Sequence, residues 1–257
     1  MSNNVINKLC MVFIIAMLVN AGPVSAGENT QDDNWQFGFG LYGWGSSIGG
    51  KNAAGNDIQL ELSDILDNLN FVAMGVVGAR KGRWTFGADI IYLDLEGDRD
   101  SRVPVLGGVA GVNTGVELES WVVTPAAGYS VVDSENFSFN VIGGARYLSL
   151  KTDVNVHANT PSRPQLAQVV VSGNVWDAII GVKGNYAFNK HWYIPYYLDI
   201  GTGDSDFTWQ ASAGIGYRFS ACDVVLIYRY LSWDFDNNPV LDNMDISGPL
   251  LGVKFMF

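Results

Sequence analysis

Between residues 207 and 219 apolar and polar positions alternate without a break. Phe207, Trp209, Ala211, Ala213, Ile215, Tyr217 and Phe219 share one face of an extended chain; Thr208, Gln210, Ser212, Gly214, Gly216 and Arg218 share the other. Successive side chains of a strand point to opposite faces, so period two over this length predicts a strand. One row is fully apolar and the other small, hydroxylated or charged, which suits a wall with lipid outside and a wet or hydrogen-bonded lumen inside. The same alternation recurs at 35–48, 69–80, 84–96, 115–131, 137–152, 170–188, 192–202, 206–219, 223–235 and 248–257, each segment bounded by turn residues. The last of these carries Leu251, Val253, Phe255 and Phe257 against Gly252, Lys254 and Met256.

The expected fold is all-β: a transmembrane antiparallel up-and-down barrel of about ten strands, with eight or twelve as alternatives. Connections alternate in length. Those at 81–83, 132–136, 189–191 and 220–222 are short, and those at 49–68, 97–114, 153–169 and 236–247 are long. Short turns of such barrels face the periplasm and long loops the exterior, so a chain that starts and ends inside needs an even strand number. The connection at 203–205 departs from the rule, being short where length is expected.

Aromatic residues gather at both ends of the segments. Trp35, Trp84, Phe137, Phe188, Trp192, Tyr217, Phe219 and Phe257 fall at the periplasmic rim, and Tyr92, Trp121, Tyr147, Trp176 and Trp209 nearer the outer rim. Amphipathic rings settle at headgroup depth on both sides of a bilayer, which is where two such belts belong. A soluble barrel or sandwich would show the same alternation. The double belt, the long strands and the aromatic terminus favour the membrane together with a signal peptide, read from an apolar run at 9–19 followed by Val24-Ser25-Ala26, small residues that suit signal peptidase. The expected division is a signal peptide over 1–26, cleaved after Ala26, and one barrel domain over 27–257.

Composition narrows the partners. The chain of 257 residues is 48% hydrophobic with 30 glycines and a net charge of −11. Nucleic acid needs a basic face, so it is excluded as a partner. Cys10 leaves with the signal and Cys222 then stands alone, which rules out an intramolecular disulfide.

On these residues the chain resembles the small outer-membrane β-barrels of Gram-negative bacteria, the porin-like and outer-membrane-protein-A or W type barrels. The likeness rests on the signal, the strand set and the closing Gly252-Val253-Lys254-Phe255-Met256-Phe257. It extends to uncharacterised proteobacterial members through Ser63-Asp64-Ile65-Leu66-Asp67-Asn68-Leu69 and Ala79-Arg80-Lys81-Gly82-Arg83-Trp84. The resemblance implies insertion in the cell outer membrane, contact with lipid and lipopolysaccharide, and recognition of Phe257 by the barrel-assembly machinery. It identifies an architecture and not an activity, since one such fold hosts pores, enzymes and adhesins.

If the apolar rows face lipid, the opposite rows deliver Asp89, Arg146, Asp177, Lys183, Asp199, Arg218, Arg229 and Lys254 to the lumen. These charges either pair and fill a narrow bore or line a path that selects solutes. Eight strands leave an interior just filled by side chains and sixteen an open channel, so ten predicts a tight one. In the first long loop, Ser63 is expected to cap a short helix with Asp64 in its first turn, a segment that would either gate the mouth or pack on neighbouring loops.

Three further features bear on chemistry. Acidic residues cluster at Asp94, Glu96, Asp98 and Asp100, at Asp204 and Asp206, and at Asp234, Asp236, Asp242 and Asp245. Such carboxylates could hold a hard cation, but none matches a calcium loop, and a solvated repelling surface is the expected reading. The run from Val105 to Val112 has no phosphate-loop ending and reads as a hairpin extension. Only His157, with Asp153 and Ser162 near it in sequence, and His191 offer a catalytic base. No enzyme, cofactor or metal is expected; the functions left are a narrow or gated pore for small solutes, or a non-conducting structural or surface-interaction barrel.

Overall fold

A computed structural model of the protein describes residues 34–52, 55–105, 108–159, 164–235 and 241–257. The expected signal peptide over 1–26 and its cleavage after Ala26 lie outside the described residues. Twelve strands and one helix follow in order: β1 (Gln36–Trp44), β2 (Ser47–Asn52), β3 (Asp57–Leu60), α1 (Leu62–Asp67), β4 (Leu69–Lys81), β5 (Trp84–Val105), β6 (Gly108–Asp133), β7 (Phe137–Asn159), β8 (Pro164–Ala187), β9 (Trp192–Gly203), β10 (Phe207–Arg218), β11 (Asp223–Asp234) and β12 (Leu241–Met256).

Ten of them, β1 and β4 to β12, pair antiparallel in chain order, and β1 returns to β12 to close the barrel. The seam runs from Gly38 opposite Met256 to Trp44 opposite Leu250. Phe37 and Phe257 extend it by exchanging amide-to-carbonyl bonds of 2.8 and 2.9 Å. Closure matters because it satisfies every ladder group without leaving an edge in the hydrocarbon.

The four short connections are tight hairpins at one end. In the first, Gly82 has φ of +55°, a left-handed conformation that a two-residue hairpin favours because its twist matches that of the strands. At the other end the turn at 203–205 is also short. It is fixed by Gly203 N–H to Ser205 carbonyl (3.0 Å), Asp204 N–H to Trp176 carbonyl (2.9 Å) and Ser205 N–H to an Asp177 carboxylate oxygen (3.0 Å).

Three expectations change. The segment 35–48 is not one strand: it breaks at Gly45-Ser46, where the Gly45 amide still bonds Pro249, and β2 continues along β12 to pair Ser47 with Ser247 and Asn52 with Leu241. β3 then adds to β2, so the first long loop holds two extra strands. The helix begins one residue before Ser63, with Glu61 as N-cap and the Glu61 amide bonded to an Asp64 carboxylate oxygen at 3.1 Å; Ser63 caps nothing. Finally, 97–114 and 153–169 are largely strand. β5 pairs β6 out to Val105 and Gly108, and β7 pairs β8 out to Asn159 and Pro164. β5 to β8 are 22 to 26 residues long and rise past the outer aromatic belt as a four-stranded sheet. From Tyr92 to Val105 that is about 40 Å of chain.

Outside, the apolar rows are bare. Leu41, Val77, Ile180, Leu198, Ile200, Ile215, Leu226 and Leu251 are 43–60% exposed. Aromatic pairs bracket this band: Tyr92 with Trp121 (4.5 Å), Tyr147 with Trp176 (4.6 Å) and Trp209 with Tyr230 (4.8 Å) above; Trp84 with Tyr129 (5.1 Å), Trp192 with Tyr217 (4.8 Å) and Phe39 with Phe255 (5.1 Å) below. An apolar belt this size would be an aggregation hazard in water and is the normal surface of a barrel in a bilayer.

Candidate functional site in the barrel lumen

The register places Asp89, Arg146, Asp177, Lys183, Asp199, Arg218, Arg229 and Lys254 on the face opposite the lipid belt, where they form three layers.

The middle layer is two linked clusters. In one, the Tyr42 hydroxyl donates to Asp89 at 2.5 Å, Arg229 bridges the second Asp89 oxygen at 2.7 Å, and two guanidinium nitrogens of Arg229 donate to the Gln210 amide oxygen at 3.2 and 2.6 Å. In the other, Arg146 meets Asp199 at 2.5 Å and donates to the Thr208 hydroxyl at 2.9 Å, which itself donates to the Ser232 carbonyl at 2.8 Å. Asp177 stands directly opposite Arg146 across the β7–β8 ladder. Arg146 and Thr208 are 0% exposed and Asp199 is 1%. Burying such charges costs several kcal/mol per ion, so each persists only because its partner sits at bonding distance.

The upper layer is apolar. Trp44, Ile91, Val122, Leu148, Leu231, Trp233 and neighbours form one cluster inside the barrel, with Leu231 and Trp233 at 0% exposure. It joins the layer beneath it through cation–π contacts: the Arg229 guanidinium lies 4.8 Å from the Trp44 ring and that of Arg146 5.9 Å from Trp233. Helix α1 contributes no residue to this cluster.

The lower layer faces the short turns. Lys254 bridges Asp223 at 3.4 Å, and the Tyr193 hydroxyl donates to the same carboxylate at 2.9 Å. The Tyr193 ring lies flat over Gly216, where any Cβ would come within 2.3 Å of it, and takes Arg218 on its face at 4.7 Å. Lys183 is half-buried and makes no ion pair among the described residues. Lys183 and Lys254 both line a cavity of about 320 Å³ that reaches up to Tyr42, Asp89 and Arg229.

The sequence does not single out Tyr42, Tyr193 and Asp223, which carry hydrogen bonds of these layers, and it places Thr208 and Gln210 on the lumenal row without their partners. For Tyr193 and Asp223 the signal is parity, since they share the rows of Asp199 and Arg229; β1 offers no such marker for Tyr42. The acidic groups behave differently. Asp94 and Glu96 line an outward hollow with Glu117, Glu119 and Asp153, and Lys151 lies among them; Glu117 and Glu119 were not expected there. No group of three or more acidic, histidine or cysteine side chains is placed to hold a metal among the described residues. His191 stacks on Tyr217 at 5.5 Å in a periplasmic turn; His157 lies on β7 opposite Leu166, and Ser162 lies outside the described residues.

No protein-family model and no curated relative matches the sequence. Solved structures do. The outer-membrane protease OmpT of Escherichia coli aligns with a TM-score of 0.50 at 10% identity, over 88% of this chain and 98% of that one. The translocator domain of the autotransporter NalP of Neisseria meningitidis gives 0.44 at 12% identity over 88% and 91%, and the attachment invasion locus protein Ail of Yersinia pestis gives 0.29 at 11% over 88% and 99%. With the closed ladder, the apolar belt and the two aromatic girdles, the likeness to OmpT shows that this chain has the fold of an outer-membrane β-barrel.

Proposed function

We propose that the protein is a non-conducting barrel that works at the cell surface through the sheets it raises above the membrane. The observation that carries this is the buried Arg146–Asp199–Thr208 set lying against Trp233 and Leu231, all at or near 0% exposure. Side chains of the wall itself fill the bore at that level, so opening it means separating charges that have no water to turn to. Four strands rise past the outer belt while the bore is filled, which favours display over transport.

Planar-bilayer recording of the refolded barrel tests it. The expected result is baseline current for the native chain and for a deletion of 56–67, because the seal lies in the strands rather than in α1. Steady single-channel conductance from the native chain overturns the reading in favour of a narrow pore. A rise on deleting 56–67 alone identifies that segment as a gate.

A further inference from the structure

The charges of the lumen are unevenly divided between its ends. Around Trp233, Arg146 stands against two carboxylates, Asp177 and Asp199; at mid-height Arg229 matches Asp89. Near the periplasmic mouth the Arg80–Asp133 pair is balanced, and among the other described lumenal side chains three cations, Lys183, Arg218 and Lys254, stand against one carboxylate, Asp223. That carboxylate already accepts from Tyr193 and bridges Lys254, and it faces Arg218 across the β10–β11 ladder. Lys183 is left over.

Its surroundings are built to receive something. Lys183, Tyr197, Ser212 and Arg229 stand side by side on four successive strands, all pointing inward, and the Ser212 hydroxyl has no hydrogen-bond partner among the described residues. On the facing wall Lys254 sits beside Gly40, a position without a side chain, and Gly87 and Gly252 line the same cavity. The result is a space of about 320 Å³ whose lining runs up to the Tyr42–Asp89–Arg229 cluster, with two ammonium groups on its walls. A half-buried ammonium with no counter-charge is costly, and an anion at hydrogen-bond distance removes that cost.

We propose that the periplasmic half of the lumen is a binding site for a small oxyanion of the phosphate class, held between Lys183 and Lys254 with the Ser212 hydroxyl as a third donor. The surplus of two positive charges at this end favours a doubly charged oxyanion over a monocarboxylate. Access is from the periplasm, because the apolar cluster seals the other side. The site does not depend on whether the barrel conducts.

Isothermal titration of the whole refolded barrel in detergent, with inorganic phosphate and with acetate as probes, tests this. Saturable phosphate binding is expected, tighter than that of acetate. Lys183→Gln should weaken it roughly ten-fold or more, the worth of one charge-assisted hydrogen bond. Lys190→Gln, in the exposed turn below, should leave it unchanged. Lys254→Gln provides a second reading if Lys183→Gln fails to show the heat-dependent gel shift of a folded barrel. No saturable phosphate binding up to about 10 mM, weaker than the affinity at which such a site would matter, overturns the proposal. So does acetate binding tighter than phosphate, or binding unaffected by either lysine variant.

Discussion

Arg146 on β7 and Asp199 on β9 meet at 2.5 Å across the barrel interior, skipping the strand between them, with neither side chain exposed to solvent. β8, the skipped strand, carries Asp177 opposite Arg146 on the ladder, where its carboxylate accepts from the Ser205 amide instead. One guanidinium thus ties β7 to β9 from the inside, at the level where Thr208 and Trp233 reach over from β10 and β11.

Breaking that tie should be costly. Arg146→Met leaves Asp199 without its counter-charge in a dry layer, and about 3–5 kcal/mol of stability should be lost. Urea unfolding in lipid vesicles, followed by tryptophan fluorescence, measures it. Arg146→Met combined with Asp199→Leu removes both charges of the pair and should cost less than Arg146→Met alone; an additive loss would show that the ion pair is not the source of the penalty.

The lipid-facing assignment makes a sharper distinction. Ile180 is 60% exposed on the outer face, four residues from Trp176 of the outer girdle and six from Tyr186 of the inner one, and so lies close to the bilayer midplane. Ile180→Lys should destabilise the barrel in vesicles by about 2–4 kcal/mol. Val170, also on an exposed stretch of β8 but above the girdle, should accept lysine with a change of under about 0.5 kcal/mol. Equal penalties at the two sites would place the outer belt in a medium other than lipid.

Phe257 closes the seam through its backbone and rests its ring against Phe37 at 6.4 Å. The sequence's resemblance to outer-membrane barrels implies recognition of that residue by the assembly machinery, an expectation to be tested. Phe257→Ala should then lower the folded fraction in outer-membrane preparations several-fold, while refolding of the purified chain in detergent proceeds nearly as before. A loss of the same size in both settings would trace the effect to the seam contact instead.

Sequence alone determined the parts of this protein that depend on one strand at a time. The alternation at 207–219 reappears as Thr208 and Gln210 buried and Ile215 and Phe219 exposed, because a strand that separates lipid from lumen must sort its side chains residue by residue. The tight periplasmic turns and both girdles were legible for the same reason. Residues 97–114 and 153–169 look like loops in the sequence, since above the bilayer no lipid imposes alternation and only pairing across a hairpin holds them extended. Tertiary structure decided the rest: Asp89 with Arg229 and Arg146 with Asp199 are partners 140 and 53 residues apart, and which charges cancel depends on how far the strands stagger when the sheet closes. That stagger is a property of the whole ring, so the surplus of Lys183 and the apolar seal around Trp233 appear only once β12 has found β1.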